Sequence, residues 1–219
     1  MAHMRSPSSE STANTRERLL DAAAQLFAEN GREGVSIRDI AARAGVRHGC
    51  INYHFRSKDE LYREALLANC CPQGREELLS SIDQAPRPEE ARKMLAGIVR
   101  KIVHAEVQPL DPVAAGFVRA EIARPEGPDQ SLFEGVIQPN QRALAKLIGH
   151  AFPEISDEKE LVIAALNLAS QCIFLRLARP VALKLLGVEE FDGELTERIA
   201  DRIIQTALGG LSAGEEVLP

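Results

Sequence analysis

The chain has 219 residues, 45% of them apolar, and a formal charge of −6. That is enough apolar content for the packed core of one or two domains and excludes a disordered chain, and no uninterrupted run of about 18 apolar residues offers a membrane span. The charge is uneven: from Arg32 to Lys58 six Lys/Arg face two Asp/Glu, whereas residues 61–219 carry seventeen against twenty-four, so a basic patch on an acidic body keeps a polyanionic partner open.

Helical spacing dominates from end to end, and no segment alternates strictly between hairpin turns, which predicts an all-α fold. Residues 1–13, Ser/Thr/Ala-rich and without periodicity, read as a disordered leader. Asn14 or Thr15 caps a first helix whose Leu19, Ala22, Ala23, Leu26 and Phe27 share a face, and Gly31 ends it. Ser36 with Asp39 forms a capping box for a short stripe, Ile37, Ile40, Ala41 and Ala44, that stops at Gly45. Ser57 with Glu60 opens a further helix to about Leu79, which leaves room for one short helix between Gly45 and Ser57. Two short helices joined around Gly45 form a helix-turn-helix, so residues 14–60 are expected to be a three-helix domain linked onward through a helix over 58–80.

After the "QAPRP" linker the pattern restarts, and residues 81–219 are expected to form a second, helical-bundle domain. Pro88 suits a first helical position, with Ala91, Leu95, Ile98, Val99 and Ile102 on one side. Asp111 and Pro112 start a helix that ends near "RPEGP". Asp129 caps another through about Phe152, with a kink expected near Gly135 to Pro139 because proline removes one backbone bond. Asp157 with Glu160 opens a helix to about Arg179, and Leu195, Ile199, Ile203 and Ala207 mark a last one ending at Gly209 or Gly210.

The second helix of the turn reads as a display element. Val46, Cys50, Ile51 and Phe55 can face inward, leaving Arg47, His48, Asn52, Tyr53 and His54 outside with donors, acceptors and no negative charge. Gly49 costs about 1 kcal/mol in a helix relative to Ala, and close approach to a phosphate backbone would offset it. Helix N-termini marked by Ser36, Arg47 and Ser57 present free N–H groups to phosphate. Four cysteines, Cys50, Cys70, Cys71 and Cys172, show neither metal-ligand spacing nor a disulfide framework, so free thiols are expected.

The stretch "LLDAAAQLFAENGREGVSIRDIAARAGVRHGCINYHFRSKDELYREAL" resembles the DNA-binding domain of the TetR family of transcriptional repressors, through its L-DAA--LF--NG opening, IA--AGV turn and YHF-SKDEL exit. The resemblance implies a supporting first helix, a third helix in the major groove and a fourth linking DNA reading to a ligand-binding domain. It assigns base or backbone contact to Arg38, Arg47, His48, Gly49, Tyr53, His54 and Lys58. Asn52 stands where the family usually has an aromatic, and an asparagine there suits a phosphate or an adenine edge. More weakly, "VRAEIARP", "FEGVIQPNQRALAKLI" and "FDGELTERIADRIIQTALGGL" resemble the CecR-like subgroup, which implies a small effector.

Effector contacts are expected from His104, Phe117, Glu121, Asn140, Gln171 and Phe174, whose polar members lie on or near apolar stripes. The last two helices are apolar over more than one face, which predicts a homodimer through Leu168, Cys172, Ile199, Ile203 and Ala207, and hence a palindromic double-stranded operator. The leading function is a cytoplasmic, ligand-responsive repressor with no cofactor and no metal. The alternatives are a helical adaptor without DNA binding and an enzyme using His104, Glu121 or His150, for which no nucleophile with base and orienter and no metal-ligand pair is recognisable.

Overall fold

The computed structural model describes residues 8–70 and 87–212, and every regular element among them is helical. In chain order they are α1 (Ser8–Asn30), α2 (Ile37–Ala44), α3 (Gly49–His54), α4 (Lys58–Cys70), α5 (Pro88–Glu106), α6 (Pro112–Ile122), α7 (Gln130–Leu132), a π-helical turn (Phe133–Ile137), α8 (Gln138–Ala151), α9 (Glu158–Leu177), α10 (Arg179–Leu186) and α11 (Gly193–Ser212). The expected extension of α4 to Leu79, most of the "QAPRP" linker and Cys71 lie outside the described residues.

Most boundaries follow the local signals. Ser36 and Asp39 exchange bonds across the start of α2, and Gly45 closes that helix in the left-handed region at φ 64°. Pro88 opens α5, Asp111 accepts from the Val113 and Ala114 N–H groups, and Asp157 accepts from those of Lys159 and Glu160. Three boundaries differ from expectation. α1 starts at Ser8, inside the expected leader, because no Gly or Pro separates Ser8 from Asn30 and extending an existing helix needs no new nucleus. α11 runs through Gly209 and Gly210 to Ser212, since its neighbours supply the helical frame. α10 has no counterpart in the sequence reading, although Pro180 near its start and Gly187 at φ 69° after its end punctuate it.

The expected bend at Pro139 is a π-turn. Pro139 has no N–H of its own to donate back along the helix, and the wider turn over Phe133–Ile137 accommodates the ring while the line from Gln130 to Ala151 stays helical.

The chain divides into two compact units that do not follow the expected contiguous blocks: residues 1–73 with 110–136, and residues 74–109 with 137–219. In the first, α6 joins α1 and α4 because Gly116 lets the backbones meet. A Cβ there would sit 2.7 Å from the Ala28 Cα, closer than real side chains come. Leu19, Ala23 and Phe27 of α1, Leu61, Tyr62 and Leu66 of α4 and Phe117 of α6 are buried, each large apolar side chain contributing roughly 1.5–3 kcal/mol. Tyr62 is the hub, its ring edge-on to Phe27 at 5.1 Å and to Phe117 at 5.6 Å, with the Arg32 guanidinium 5.8 Å from its centroid. Its hydroxyl donates to the Glu121 carboxylate.

In the second unit α5 is central. Leu95, Ile98, Val99 and Val103 form a core with Leu147, Ile148, Ala165, Leu168, Cys172, Ala200 and Ile203. Arginines satisfy helix ends here: Arg92 donates to the last carbonyl of α8 at Ala151 and lies over Phe152, while Arg176 and Arg179 donate to Ala105 and Val107 at the end of α5. Arg176 also pairs at 2.7 Å with Glu106, whose carboxyl burial pushes above the usual range. α9 is apolar nearly all round, with a mean hydropathy of 1.5 over 18 residues although Asn167, Ser170 and Gln171 interrupt it. One side lies in the core, and the other exposes Ile163, Leu166, Ile173, Phe174 and Leu177.

Candidate functional site

The helix-turn-helix is built from α2, the turn at Gly45 and α3. Ile40, Ala41 and Ala44 bury one face of α2, and Ile51 with Phe55 anchors α3. α3 therefore presents its other face outward. Arg47, His48, Gly49 and Asn52 are exposed, Tyr53 is 78% exposed, and the Tyr53 ring stands edge-on to His54 at 5.0 Å. His54 and Lys58 are half-buried beside it, and Arg38 is exposed on α2. Val46 and Cys50, expected to face inward, are only half-buried.

No backbone or side-chain atom stands within 4 Å of a Cβ placed on Gly49. The chain's own packing thus has no need of a glycine there. Ser36 differs from the other expected contacts in that its hydroxyl is engaged with Asp39, whose carboxyl the Ser36 hydroxyl and N–H hold below the usual carboxylate range.

The six expected effector residues divide between the two units. Phe117 and Glu121 lie in the first unit, packed on and bonded to Tyr62; Glu121 is 4% exposed, accepts also from the Asp129 N–H at 2.6 Å, and stands 3.6 Å from Arg124. That carboxylate is committed to holding α4, α6 and the start of α7. In the second unit Gln171 and Phe174 line an open groove between α9 and α11, His104 bonds Glu197 at 2.6 Å on the surface, and Asn140 is half-buried apart from both. One position further on, Gln141, which the sequence reading did not single out, has a buried Oε1 with no hydrogen-bond partner among the described residues.

Of the expected dimer residues, Leu168, Cys172 and Ile203 are at most 7% exposed within their own unit, while Ile199 and Ala207 are half-buried against the same core. Burial raises the Cys172 thiol to about 11, with the Glu106 charge adding to it, so this is an inert core cysteine. The exposed large apolar side chains of this unit are those of α9 together with Val181, Leu185 and Leu186 of α10 and Val188 after it. Among the described residues no cluster of His, Cys, Asp and Glu could hold a metal ion.

An all-helical chain that presents a short polar helix beyond a glycine turn has the build of a helix-turn-helix protein. Residues 19–65 match the profile of the bacterial regulatory proteins of the tetR family, and residues 91–211, more than half of the chain, match the C-terminal domain of the HTH-type transcriptional dual regulator CecR. The chain belongs to the TetR family of DNA-binding transcriptional regulators, which are not enzymes, and its C-terminal domain is of the CecR type. It is similar to the HTH-type transcriptional repressor KstR2 of Mycolicibacterium smegmatis, 41% identical over 54 residues, and that match spans about a quarter of either chain: 25% of this one and 26% of the relative. A crystal structure of a transcriptional regulator from Pseudomonas aeruginosa PAO1 superposes with a TM-score of 0.63 at 24% identity, covering 91% of this chain and 90% of that one. FadR of Bacillus subtilis, solved in complex with stearoyl-CoA, superposes at 0.59 with 18% identity over 89% and 98% of the two chains. At these identities the likeness of the structures is one of fold.

Proposed function

We propose that the protein is a transcriptional repressor that binds a palindromic operator as a homodimer through α3 and leaves it when a small, largely apolar effector occupies the second unit. The observation that carries the DNA reading is the outward surface of α3 and of the two residues before it, which offers Arg47, His48, Asn52 and Tyr53 and no acidic group. Arg47 and Lys58 suit phosphate or guanine, and Asn52 suits an adenine edge. The exposed stripe Leu166, Ile173, Phe174 and Leu177 supports a second copy as the partner of α9 and α11, two helices from each chain making a four-helix bundle.

For the effector, the Gln141 oxygen, without a hydrogen-bond partner among the described residues, is the polar group an incoming ligand would satisfy. The stearoyl-CoA held by the FadR neighbour makes acyl-coenzyme A thioesters the first compounds to screen. Release requires an effector that favours the form unable to match the operator, since equal affinity for both forms shifts nothing.

The test has two stages. Selection from random duplexes with the purified protein is expected to yield an inverted repeat with half-sites one or more helical turns apart. Calorimetry of a stabilising acyl compound against free and operator-bound protein is then expected to show affinities differing by about 5- to 150-fold, the same factor by which the compound weakens operator binding. A selection without consensus removes the repressor reading, and equal affinities remove the compound as inducer.

A further inference from the structure

The reading helix has little of its own to hold it. α3 has six residues, the side chain of its N-cap His48 does not cap it, and Ile51 is the buried side chain within it. Helices this short are unstable alone, so the pose of α3 is imposed from outside. Two arginines of α1 hold the chain on either side of it, at the turn that leads in and at the residue that follows. The Arg18 guanidinium donates to the Ala44 carbonyl, the last of α2, and at 3.4 Å to that of Gly45 in the turn. It lies 2.9 Å from where a Cβ on Gly45 would stand. Arg16 pairs with Glu64 of α4 and sets its guanidinium 5.0 Å from the centroid of Phe55, the residue that ends α3. Both side chains rise from a helix fixed by fully buried Leu19, Ala23 and Phe27.

We infer that Arg18 is a positioning residue for sequence reading: it sets the angle at which α3 leaves the turn by holding the Ala44 and Gly45 carbonyls, and does not itself touch DNA. Non-specific binding rests on phosphate charge and tolerates a misaimed helix, whereas bidentate base contacts do not. The signature of Arg18 is therefore discrimination between sequences. Lysine is a poor substitute, because both bonds come from the terminal Nη2 and the lysine nitrogen ends one bond nearer its own backbone, short of that position.

The inference rests on the operator-binding reading, so the test starts with the unaltered full chain and a consensus duplex obtained by selection; if none emerges, that reading fails and the positioning role falls with it. Given a consensus, wild type, Arg18→Ala and Arg18→Lys are titrated with consensus and random duplex over a salt series, and their thermal midpoints are measured. Arg18→Ala is expected to bind consensus about tenfold more weakly, the size of one mismatched base pair. Its random-duplex affinity should stay within about twofold and its salt slope on both duplexes should be unchanged, with Arg18→Lys recovering less than half of the loss on a logarithmic scale. Three results overturn it. Equal losses on both duplexes with a slope smaller by about one unit, repaired by lysine, make Arg18 a phosphate contact. Undiminished consensus affinity leaves it no role. A collapsed thermal midpoint with loss of both activities makes it a residue of the fold.

Discussion

In the unit formed by residues 1–73 and 110–136, α3 and the two residues before it expose Arg47, His48, Asn52 and Tyr53; in the unit formed by 74–109 and 137–219, the exposed face of α9 carries Ile163, Leu166, Ile173, Phe174 and Leu177. The interiors are reversed in character as well. The first unit buries Glu121 and Asp129 beside Tyr62, while the second has an almost wholly apolar core. A polar surface element held by polar bonds suits a partner read by hydrogen bonds, which requires fixed angles. An apolar face over an apolar core suits a partner recognised by area, where direction matters less. In the proposed function the two units would separate specificity from association, and mutations can show whether the two are separable.

The largest effect is expected from the apolar face. Leu166→Glu with Phe174→Glu, both exposed, should leave the thermal midpoint nearly unchanged, yield monomers in sedimentation and weaken operator binding by about 100-fold or more, since one reading head loses the effective concentration of its twin. Dimers that persist would place the interface elsewhere. Next is Gly116→Ala, which drives a methyl into Ala28 and is expected to cost roughly 1–3 kcal/mol or more in urea unfolding. An unchanged midpoint would mean that α6 is not held to α1 at that contact.

Tyr62→Phe comes third, leaving the Glu121 carboxylate short of a donor at about 1–3 kcal/mol. It has a pH signature. Burial and the Glu121 charge raise the Tyr62 phenol, so the folded state favours its protonated form. That stability is fully present below the ordinary phenol range near about 10 and is lost as pH rises through the higher folded value. The phenylalanine variant should lose this part of the alkaline sensitivity, and identical alkaline profiles would contradict it. The smallest effect is a split one: Gly49→Ala should raise stability by up to about 1 kcal/mol while weakening operator binding, because the methyl meets DNA and not the chain. Unweakened binding would remove the close-approach role of Gly49.

Local chemistry was legible in the sequence, and long-range pairing was not. Ser36 with Asp39, Gly45, Pro88, Asp111 and Asp157 act within a few residues, so their spacing alone marks helix ends, and the outward set on α3 follows from where Ile51 and Phe55 must go. Tyr62 and Glu121 stand 59 positions apart, and Arg18 reaches Ala44 across 26, separations that no periodicity encodes. Periodicity also fails on a helix that is apolar all round. On α9 it cannot tell Leu168, which fills the chain's own core, from Leu166, which faces out. That is why three of the expected dimer residues are core residues. α10 escaped because it buries no residue and so carries no one-sided stripe.

The aromatic inventory gives the molecule a built-in optical reporter. The chain has no tryptophan and two tyrosines: Tyr53, 78% exposed on α3, and Tyr62, 2% exposed among Phe27, Phe117 and Arg32. Near-ultraviolet absorbance and tyrosine emission therefore come from two phenols, of which bulk water and soluble quenchers reach one. Quenching by added iodide or acrylamide isolates the chromophore on the reading helix without any label, and its protection when a duplex is added is a direct optical measure of occupancy at that helix.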